Sequence, residues 1–303
     1  MQRVIGKGGS VLWKVMFAGL IALLFTAVAA AGPATLAKKP KRPTTAELRA
    51  KLPPNIRKSN TLRIATSIYA PVDYYKADGK TLTGFDADIM RAVAKKLRVK
   101  IKWAVIDFAA IIPGITSGQY DFATDLNDTK QREQVVDFIT EFRDGSSILV
   151  KKANPERLRN LGDLCGKTVV MTQGSVQIPI ANSQSDKCQQ AGKAKIDQLL
   201  VPDDPPARLA LKSGRASAYL VNTLAGSYAA KTENGGQDFQ ILAGVYQPQF
   251  AGIIFPKKSK RLREAIRATL NAVITDGTYR KIMVRYGVAN NAIKKSLVNA
   301  ATS

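Results

Sequence analysis

The sequence predicts an α/β fold of open, mostly parallel β-sheets flanked by helices, and three observations lead to this prediction. The first is an amphipathic helix after Gly84. Its apolar residues recur on one face at spacings of four, namely Phe85, Ile89, Val93 and Leu97. The second is an alternation of strands and helices up to Thr124, which is typical of parallel strands joined by crossover helices. The third is a new strand–loop–helix unit that begins at Thr168.

The other elements follow from short apolar or β-rich runs and their flanking turns. A single helical turn is expected near Thr45 to Lys51. Strands are predicted at residues 62–67, 101–106, 120–124, 138–150, 168–172, 197–201, 218–221 and 250–255. Further helices are predicted at residues 108–116, from 130 onward, at 259–274 and at 277–285.

The polar run after the strand at 120–124 is the strongest sign of a binding site. The run Asp125-Leu126-Asn127-Asp128-Thr129 leads into a helix that begins Lys130-Gln131-Arg132-Glu133. A helix N-terminus presents unpaired N–H groups, and the Arg132 guanidinium is a permanently charged fork that suits a carboxylate. Because open α/β sheets bind ligands beyond the carboxyl ends of their strands, the run predicts an anion pocket. The plainer alternative is that Thr129 and Glu133 only cap the helix.

The first 37 residues have the pattern of a secretory signal peptide. Arg3, Lys7 and Lys14 form a basic start, residues 15–31 form an uncharged apolar run, and small residues follow. The alternative is a retained membrane anchor, because a run of about 17 residues is at the lower limit for spanning a bilayer. No cysteine lies near the cleavage region. A periplasmic protein without a lipid anchor is therefore expected.

Cysteine and histidine usage limits the chemistry of the chain. Cys165 and Cys188 are the only cysteines, and there is no histidine. In an exported protein such a pair is expected to form a disulfide, and a Cys/His zinc site is impossible. No metal ion or other cofactor is expected.

The net charge of +23 is unusually high, and it falls to +20 without the signal region, which holds three basic and no acidic residues. Nucleic-acid binding is the obvious alternative, but the basic residues are dispersed and no motif interleaves them with aromatic residues. Residues 38–60 concentrate Pro, Lys and Arg and predict a basic linker. The remaining charge favours anionic ligands or membrane surfaces through long-range attraction.

Seven segments, taken in order, resemble the periplasmic polar-amino-acid-binding proteins of ABC importers, known as solute-binding protein family 3. They are LPPNIRKSNTLRIAT at 52–66, IYAPVDYYKADGKTLTGFDADI at 68–89, FAAIIPGITSGQYDFATDLNDTKQREQVVDF at 108–138, DLCGKTVVMTQGS at 163–175, LALKSGRASAYLVN at 209–222, FAGIIFPKKSKRL at 250–262 and DGTYRKIMVRYGV at 276–288.

The resemblance implies a two-lobed periplasmic-binding-protein fold of type II, in which two crossover strands act as a hinge. Lobe 1 would be discontinuous, with residues 61–149 and 247–303, and lobe 2 would hold residues 150–246. The signal peptide (1–37) and the basic linker (38–60) would precede them. Such a protein closes on its ligand as a monomer and delivers it to a permease in the inner membrane, without nucleic acid as a partner.

The resemblance also implies how a carboxylate would be held. Arg132 matches the arginine that grips the ligand α-carboxylate, and Thr129 matches the threonine three residues before it. The backbone N–H groups of Gly174 and Ser175 would meet the same carboxylate, although these residues could also form an ordinary turn. Asn127 stands where the family contacts the ligand head group.

Aromatic residues would form the walls of the same cleft. Tyr69 matches an aromatic residue that stacks on the ligand side chain, and Phe108 lies near the opposite wall. Tyr74 is a further candidate for this apolar surface. Tyr69 and Phe108 could equally be core aromatics.

Two positions depart from the family pattern. Asn222 occupies the place of an aspartate that pairs with the α-ammonium of the ligand, and a neutral amide cannot supply that ion pair. An unpaired ammonium in a closed cleft would be costly. Asp125 stands where the family usually has a small residue beside the ammonium, so we expect it to restore the negative charge from lobe 1. The alternative is a ligand without an α-ammonium, such as an organic acid or an N-modified amino acid.

The leading functional prediction is a binding protein for a small carboxylate-bearing solute, such as an amino acid or its derivative. One alternative is a periplasmic dehydratase-type enzyme on the same fold that acts on a cyclohexadienyl acid. That chemistry requires a general acid in the cleft, for which Asp125 is the one clear candidate. A sensor that docks to a receptor kinase would share the same binding site, so the sequence does not separate it from a transporter component.

Overall fold

The computed structural model describes residues 42–302, so the predicted signal peptide and the first residues of the basic linker lie outside the described part. The α-helices are α1 Thr45–Ala50, α2 Pro54–Ser59, α3 Phe85–Leu97, α4 Ile111–Thr116, α5 Lys130–Glu133, α6 Gln177–Gln190, α7 Asp204–Ser213, α8 Thr223–Thr232, α9 Lys260–Thr275 and α10 Thr278–Arg285. The strands are β1 Thr61–Thr66, β2 Tyr74–Tyr75, β3 Leu82–Thr83, β4 Lys100–Val105, β5 Phe122–Asn127, β6 Val136–Lys151, β7 Thr168–Thr172, β8 Asp197–Val201, β9 Ala218–Asn222, β10 Phe239–Ile241 and β11 Tyr246–Pro256.

Two long antiparallel strands, β6 and β11, run between two groups of parallel strands. The strand order is β4-β1-β5-β11-β6-β9-β7-β8, and β10 pairs with β6. The strands β4, β1 and β5 are mutually parallel, and so are β9, β7 and β8. Strand β11 pairs with β5, β6 pairs with β9, and the two pair with each other, so they connect the two groups as the crossovers. The predicted two-lobed α/β fold is confirmed.

Helix α3 organises the core of lobe 1. Its predicted apolar face, formed by Phe85, Ile89, Val93 and Leu97, is at most 1% exposed. The helix starts at Gly84, whose φ of +129° and position against the Val72 carbonyl leave no room for a side chain. A Cβ on Gly84 would lie 1.8 Å from that oxygen. The close approach of these backbones fixes the first turn of α3 against the loop that carries Tyr69.

Helices α1 and α2, within the predicted basic linker, pack on lobe 1. Leu48, Leu52 and Ile56 are buried in the same core as α3. The Arg49 guanidinium donates hydrogen bonds to the carbonyls of Leu97 and Arg98, both at 2.9 Å, and so satisfies the end of α3. The predicted helical turn near Thr45 to Lys51 is α1.

The core of lobe 2 lies between its strands and α6. A disulfide joins Cys165, after the short 3₁₀ turn at 161–164, to Cys188 near the end of α6, and their Cα atoms are 5.6 Å apart. The predicted disulfide is confirmed. Within residues 42–302, none of the helices combines the length and the apolar character that crossing a bilayer requires.

Candidate functional site

A narrow cleft lies between the lobes. It lies at the carboxyl ends of β5, β7 and β9, which is the edge where open α/β sheets bind ligands. Six of the predicted site residues line it: Tyr69, Phe108, Asp125, Asn127, Ser175 and Asn222. Two lining residues were not predicted, Thr172 and Gln177. Thr129, Arg132 and Gly174 lie at the mouth instead, around an adjoining cavity that shares Ser175.

Arg132 spans the mouth and joins the two lobes. Its Nη1 donates to the Asn127 carbonyl at 2.9 Å, and its Nη2 donates to the Gly174 carbonyl at 3.0 Å. The guanidinium also lies 5.5 Å from the centre of the Phe108 ring. Burial lowers the pKa of Arg132 to about 10, against the opposing influence of nearby carboxylates. The guanidinium therefore stays charged at neutral pH, and it is the cation available to a ligand carboxylate.

The helix that carries Arg132 is only four residues long, so its dipole contributes little to an anion pocket. The Thr129 hydroxyl accepts a hydrogen bond from the Arg132 N–H at 3.2 Å. Thr129 thus acts as the N-cap, as in the plainer alternative, while Arg132 supplies the positive charge. The fixed first turn aims the guanidinium along the mouth of the cleft.

Asp125 has an unusual backbone conformation. Its φ is +64°, a left-handed conformation in which only a glycine would be free of strain and which aspartate tolerates better than most residues. The residue is 4% exposed, and its Oδ1 has no hydrogen-bond partner in residues 42–302. Burial raises the pKa of Asp125 well above its usual range, and the carboxylates of Asp86 and Asp144 raise it further, whereas Arg132 lowers it. A cationic group in the cleft would supply the partner that this carboxylate lacks.

Asn222 closes the cleft from the other lobe. Its backbone N–H donates to the Tyr69 hydroxyl at 3.1 Å, which is a direct contact between the lobes. Its side-chain oxygen accepts a hydrogen bond of 2.6 Å from Gln177 Nε2, and the same nitrogen donates to Ser146 Oγ at 2.9 Å. Gln177 therefore fixes the Asn222 amide. Gln177 opens α6 just after the Gly174-Ser175 turn, and the strand–turn–helix logic applied to Arg132 would have found it.

Two further polar atoms in the cleft are buried without a partner in the described part of the chain. They are Asn127 Nδ2 and Ser175 Oγ, on residues that are 4% and 9% exposed. The Ser175 N–H, in contrast, donates to the Thr172 carbonyl at 3.1 Å. Asn127 Nδ2 and Ser175 Oγ are thus side-chain donors that can face an anionic oxygen.

Tyr74 lies elsewhere, so the suggestion that it forms a wall of the cleft is wrong. Its ring packs against Tyr228, with centroids 5.9 Å apart, and it is absent from the cleft lining. Among residues 42–302 no cluster of three or more candidate metal ligands occurs. The cleft offers one cation, one unpartnered carboxylate, aromatic walls and neutral hydrogen-bonding groups.

This geometry defines a protein that encloses a small polar solute between two lobes. The profile of the bacterial extracellular solute-binding proteins, family 3, matches residues 62–289, and the chain belongs to this family. Its members act outside the cytoplasm, and this chain is a solute-binding protein rather than an enzyme.

Several proteins of known description are similar to this chain. It is 29% identical over 233 residues to the lysine/arginine/ornithine-binding periplasmic protein of Escherichia coli, covering 75% of this chain and 87% of the relative. It is 25% identical over 233 residues to the arginine-binding protein ArgT of Corynebacterium glutamicum, covering 76% and 75%. The structure of an ancestral arginine-binding protein bound to glutamine superposes with a TM-score of 0.67 at 31% identity, covering 76% of this chain and 98% of that one.

One further solved structure bears on the alternative of a dehydratase. The ancestral amino acid-binding protein AncCDT-1, a precursor of cyclohexadienyl dehydratase, is 26% identical with a TM-score of 0.68, and it covers 77% of this chain and 97% of that one. AncCDT-1 is itself described as a binding protein, so this similarity does not imply catalysis.

Proposed function

We propose that this protein captures a zwitterionic amino acid, or a derivative that keeps a free ammonium, and delivers it to an ABC permease. The relatives that bind arginine, histidine or glutamine support an amino acid as the ligand. The predicted signal peptide supports a periplasmic location, where we propose that the protein acts as a monomer without a lipid anchor. The observation that carries the proposal is the presence of the Arg132 guanidinium at the mouth of the cleft and the Asp125 carboxyl group inside it.

Each charged residue binds one charged group of the ligand. Arg132, with the free donors Asn127 Nδ2 and Ser175 Oγ, faces the ligand carboxylate from the mouth. The unpartnered Oδ1 of Asp125 faces the ammonium from the floor. Tyr69 and Phe108 flank the space between them and contact the ligand side chain. The Tyr69–Asn222 and Arg132–Gly174 hydrogen bonds hold the lobes together once the cleft is filled.

A ligand screen tests the proposal. The protein from Lys38 onward is mixed with amino acids, their N-acetyl derivatives and the matching des-amino acids. Compounds that raise its melting temperature are then titrated by isothermal calorimetry to measure their affinity. We expect binding of one or a few free amino acids and no binding of the versions that lack the ammonium. Binding only of acids without an ammonium would contradict the proposal and would direct the next assay to turnover of a cyclohexadienyl acid.

The variant Asp125→Asn then identifies the ammonium partner. We expect the affinity for the amino acid to fall by at least about 30-fold, because loss of one partner leaves a buried charge unpaired. Asp186→Asn is the matched control, since Asp186 is exposed on α6 and the change in charge is the same. Equal affinities of the wild type and Asp125→Asn would exclude this role of Asp125.

A further inference from the structure

The C-terminal segment from Ser296 to Ala301, here called the strap, lies beyond the family match, which ends at residue 289. It runs along the crossover strand β6. Thr140 N donates to the Leu297 carbonyl and Leu297 N donates to Thr140 Oγ1, both at 2.9 Å. Ser296 Oγ donates to the Thr140 carbonyl at 2.7 Å, and Phe138 N donates to Asn299 Oδ1 at 2.8 Å. The strap is thus fixed to a strand that forms the hinge.

The end of the strap reaches the segment that carries Arg132. Ala300 N–H donates to Asp128 Oδ2 at 2.8 Å, and Ala301 N–H donates to Glu133 Oε1 at 2.9 Å. Asp128 precedes the N-cap of α5, and Glu133 is the residue after Arg132. The strap therefore holds α5 at both of its ends.

Both of these hydrogen bonds are accepted by acidic side chains, and this affects their strength. Asp128 is 1% exposed, and burial raises its pKa to about 7. The Ala300 N–H lowers this pKa, whereas the neighbouring Glu133 carboxylate raises it. The two carboxylates repel each other, and the strap supplies a backbone donor to each of them. Hydrogen bonds to charged groups are about twice as strong as neutral ones, so these contacts restrain a one-turn helix that has few internal hydrogen bonds of its own. They act together with the hydrogen bond from Lys257 Nζ to the Glu133 carbonyl.

We propose that the strap is a positioning element for ligand binding, which orders α5 so that the Arg132 guanidinium is aimed at the ligand carboxylate. This inference rests on the proposed function, because it assumes that Arg132 binds the ligand. Loss of the Ala301 donor would release Glu133 and let the turn that holds Arg132 relax away from Asn127 and Gly174.

The test compares two proline variants of the whole mature protein. Ala301→Pro removes the N–H that Glu133 accepts. Thr302→Pro is the matched control, because Thr302 is exposed and its N–H donates no hydrogen bond within residues 42–302. Affinity for the amino acid found in the screen is measured by calorimetry, and amide exchange of α5 is measured by mass spectrometry without ligand. Chemical denaturation reports the global stability of each variant.

We expect Ala301→Pro to weaken ligand affinity about 5-fold or more and to speed exchange at residues 132–135, with Thr302→Pro unchanged. Wild-type affinity and exchange in Ala301→Pro would overturn the proposal. Should that variant fail to fold, Glu133→Ala and Glu133→Gln replace it. Glutamine keeps the acceptor oxygen but not the charge, so Glu133→Gln should retain more affinity than Glu133→Ala, and equal affinities of these two variants would again overturn the proposal.

The exchange measurement separates this inference from the proposed function. If the wild type binds no amino acid, the proposed function fails, whereas ligand-free exchange still shows whether the strap orders α5. If the wild type binds and Ala301→Pro changes neither readout, only the inference about the strap fails.

Discussion

Asp125 and Asn222 line the same cleft, and the carboxylate stands at residue 125 rather than at residue 222, where the family resemblance would place it. Asp125 supplies a carboxylate that has no partner, and the Asn222 side chain is neutral and held by Gln177. If the ammonium site needs one negative charge from either lobe, that charge should be transferable between these positions. The geometry of the cleft favours this, since both residues line it.

The double variant Asp125→Asn/Asn222→Asp tests that transfer. We expect it to recover at least about 10-fold of the affinity lost in Asp125→Asn, because the cleft again holds one carboxylate for the ammonium. Calorimetry on the wild type, both single variants and the double variant gives the coupling between the two positions. Additive losses, without recovery, would show that the carboxylate must stand on lobe 1.

Several cleft residues could be predicted because they belong to short sequence motifs, such as the polar run at residues 125–129. Arg132 and Asp125 lie in one continuous run at the end of a strand, where the sheet itself directs ligand binding. Gln177 opens a helix after a strand and a turn, as α5 does, and this pattern could have identified it. Thr172 is an ordinary residue at the end of β7, and nothing in the sequence marks it. An aromatic residue near the site can pack either against the cleft or against another part of the surface. Tyr74 packs against Tyr228 of α8 instead of the cleft, and the sequence does not distinguish these two positions.

Among the elements, β5 and the first two helices show where sequence patterns fail. The strand was expected to end at Thr124, but it continues to Asn127 because Leu126 and Asn127 pair with β11. That pairing is a contact distant in sequence, which a polar run does not reveal. In α1, α2 and the short connection between them, the basic composition masks three buried residues at spacings of four, Leu48, Leu52 and Ile56. Apolar periodicity was the better guide there.

The disulfide is a local restraint within lobe 2. It links residues 23 positions apart and ties α6 to the turn before β7. We expect Cys165→Ser/Cys188→Ser to lower the free energy of unfolding by about 3 kcal/mol, through the greater entropy of the unfolded chain. Denaturant titrations of the variant and of the reduced wild type should agree. An unchanged midpoint would mean that the packing of Leu164 and Ile180 alone orders this part of the lobe.

For the whole molecule, positive charge dominates the exterior, while carboxyl groups gather inside lobe 1. Asp73, Asp86 and Glu141 are fully buried behind the cleft, and burial raises the pKa of each. Asp73 accepts hydrogen bonds from Thr66 Oγ1 at 2.6 Å and from Ala87 N at 3.0 Å. Burial likewise raises the pKa of Asp125, and the Asp86 carboxylate raises it further, so a cation bound beside Asp125 would favour its ionised form.

These carboxyl groups also set how stability depends on pH. A carboxyl group with a raised pKa binds more protons in the folded state than in the unfolded one, so its contribution to stability falls as pH rises. For Asp86 the loss begins near its ordinary pKa of 3.8 and is complete once the pH exceeds about 6. Asp137 acts in the opposite direction. Burial acts to raise its pKa, but hydrogen bonds from Lys257 and Asn299 lower it, so its contribution is lost only at acidic pH.

We therefore expect the ligand-free protein to be less stable at pH 8 than at pH 5. In Asp86→Asn the loss between these pH values should be smaller by about 1 kcal/mol, because the neutral amide has no ionisation to suppress. Denaturant titrations at both pH values measure this difference, with Asp186→Asn as the surface control. A wild-type loss that Asp86→Asn leaves unchanged would mean that Asp86 is ionised in the folded protein at both pH values. The ammonium of a bound ligand would then meet a second negative charge behind Asp125.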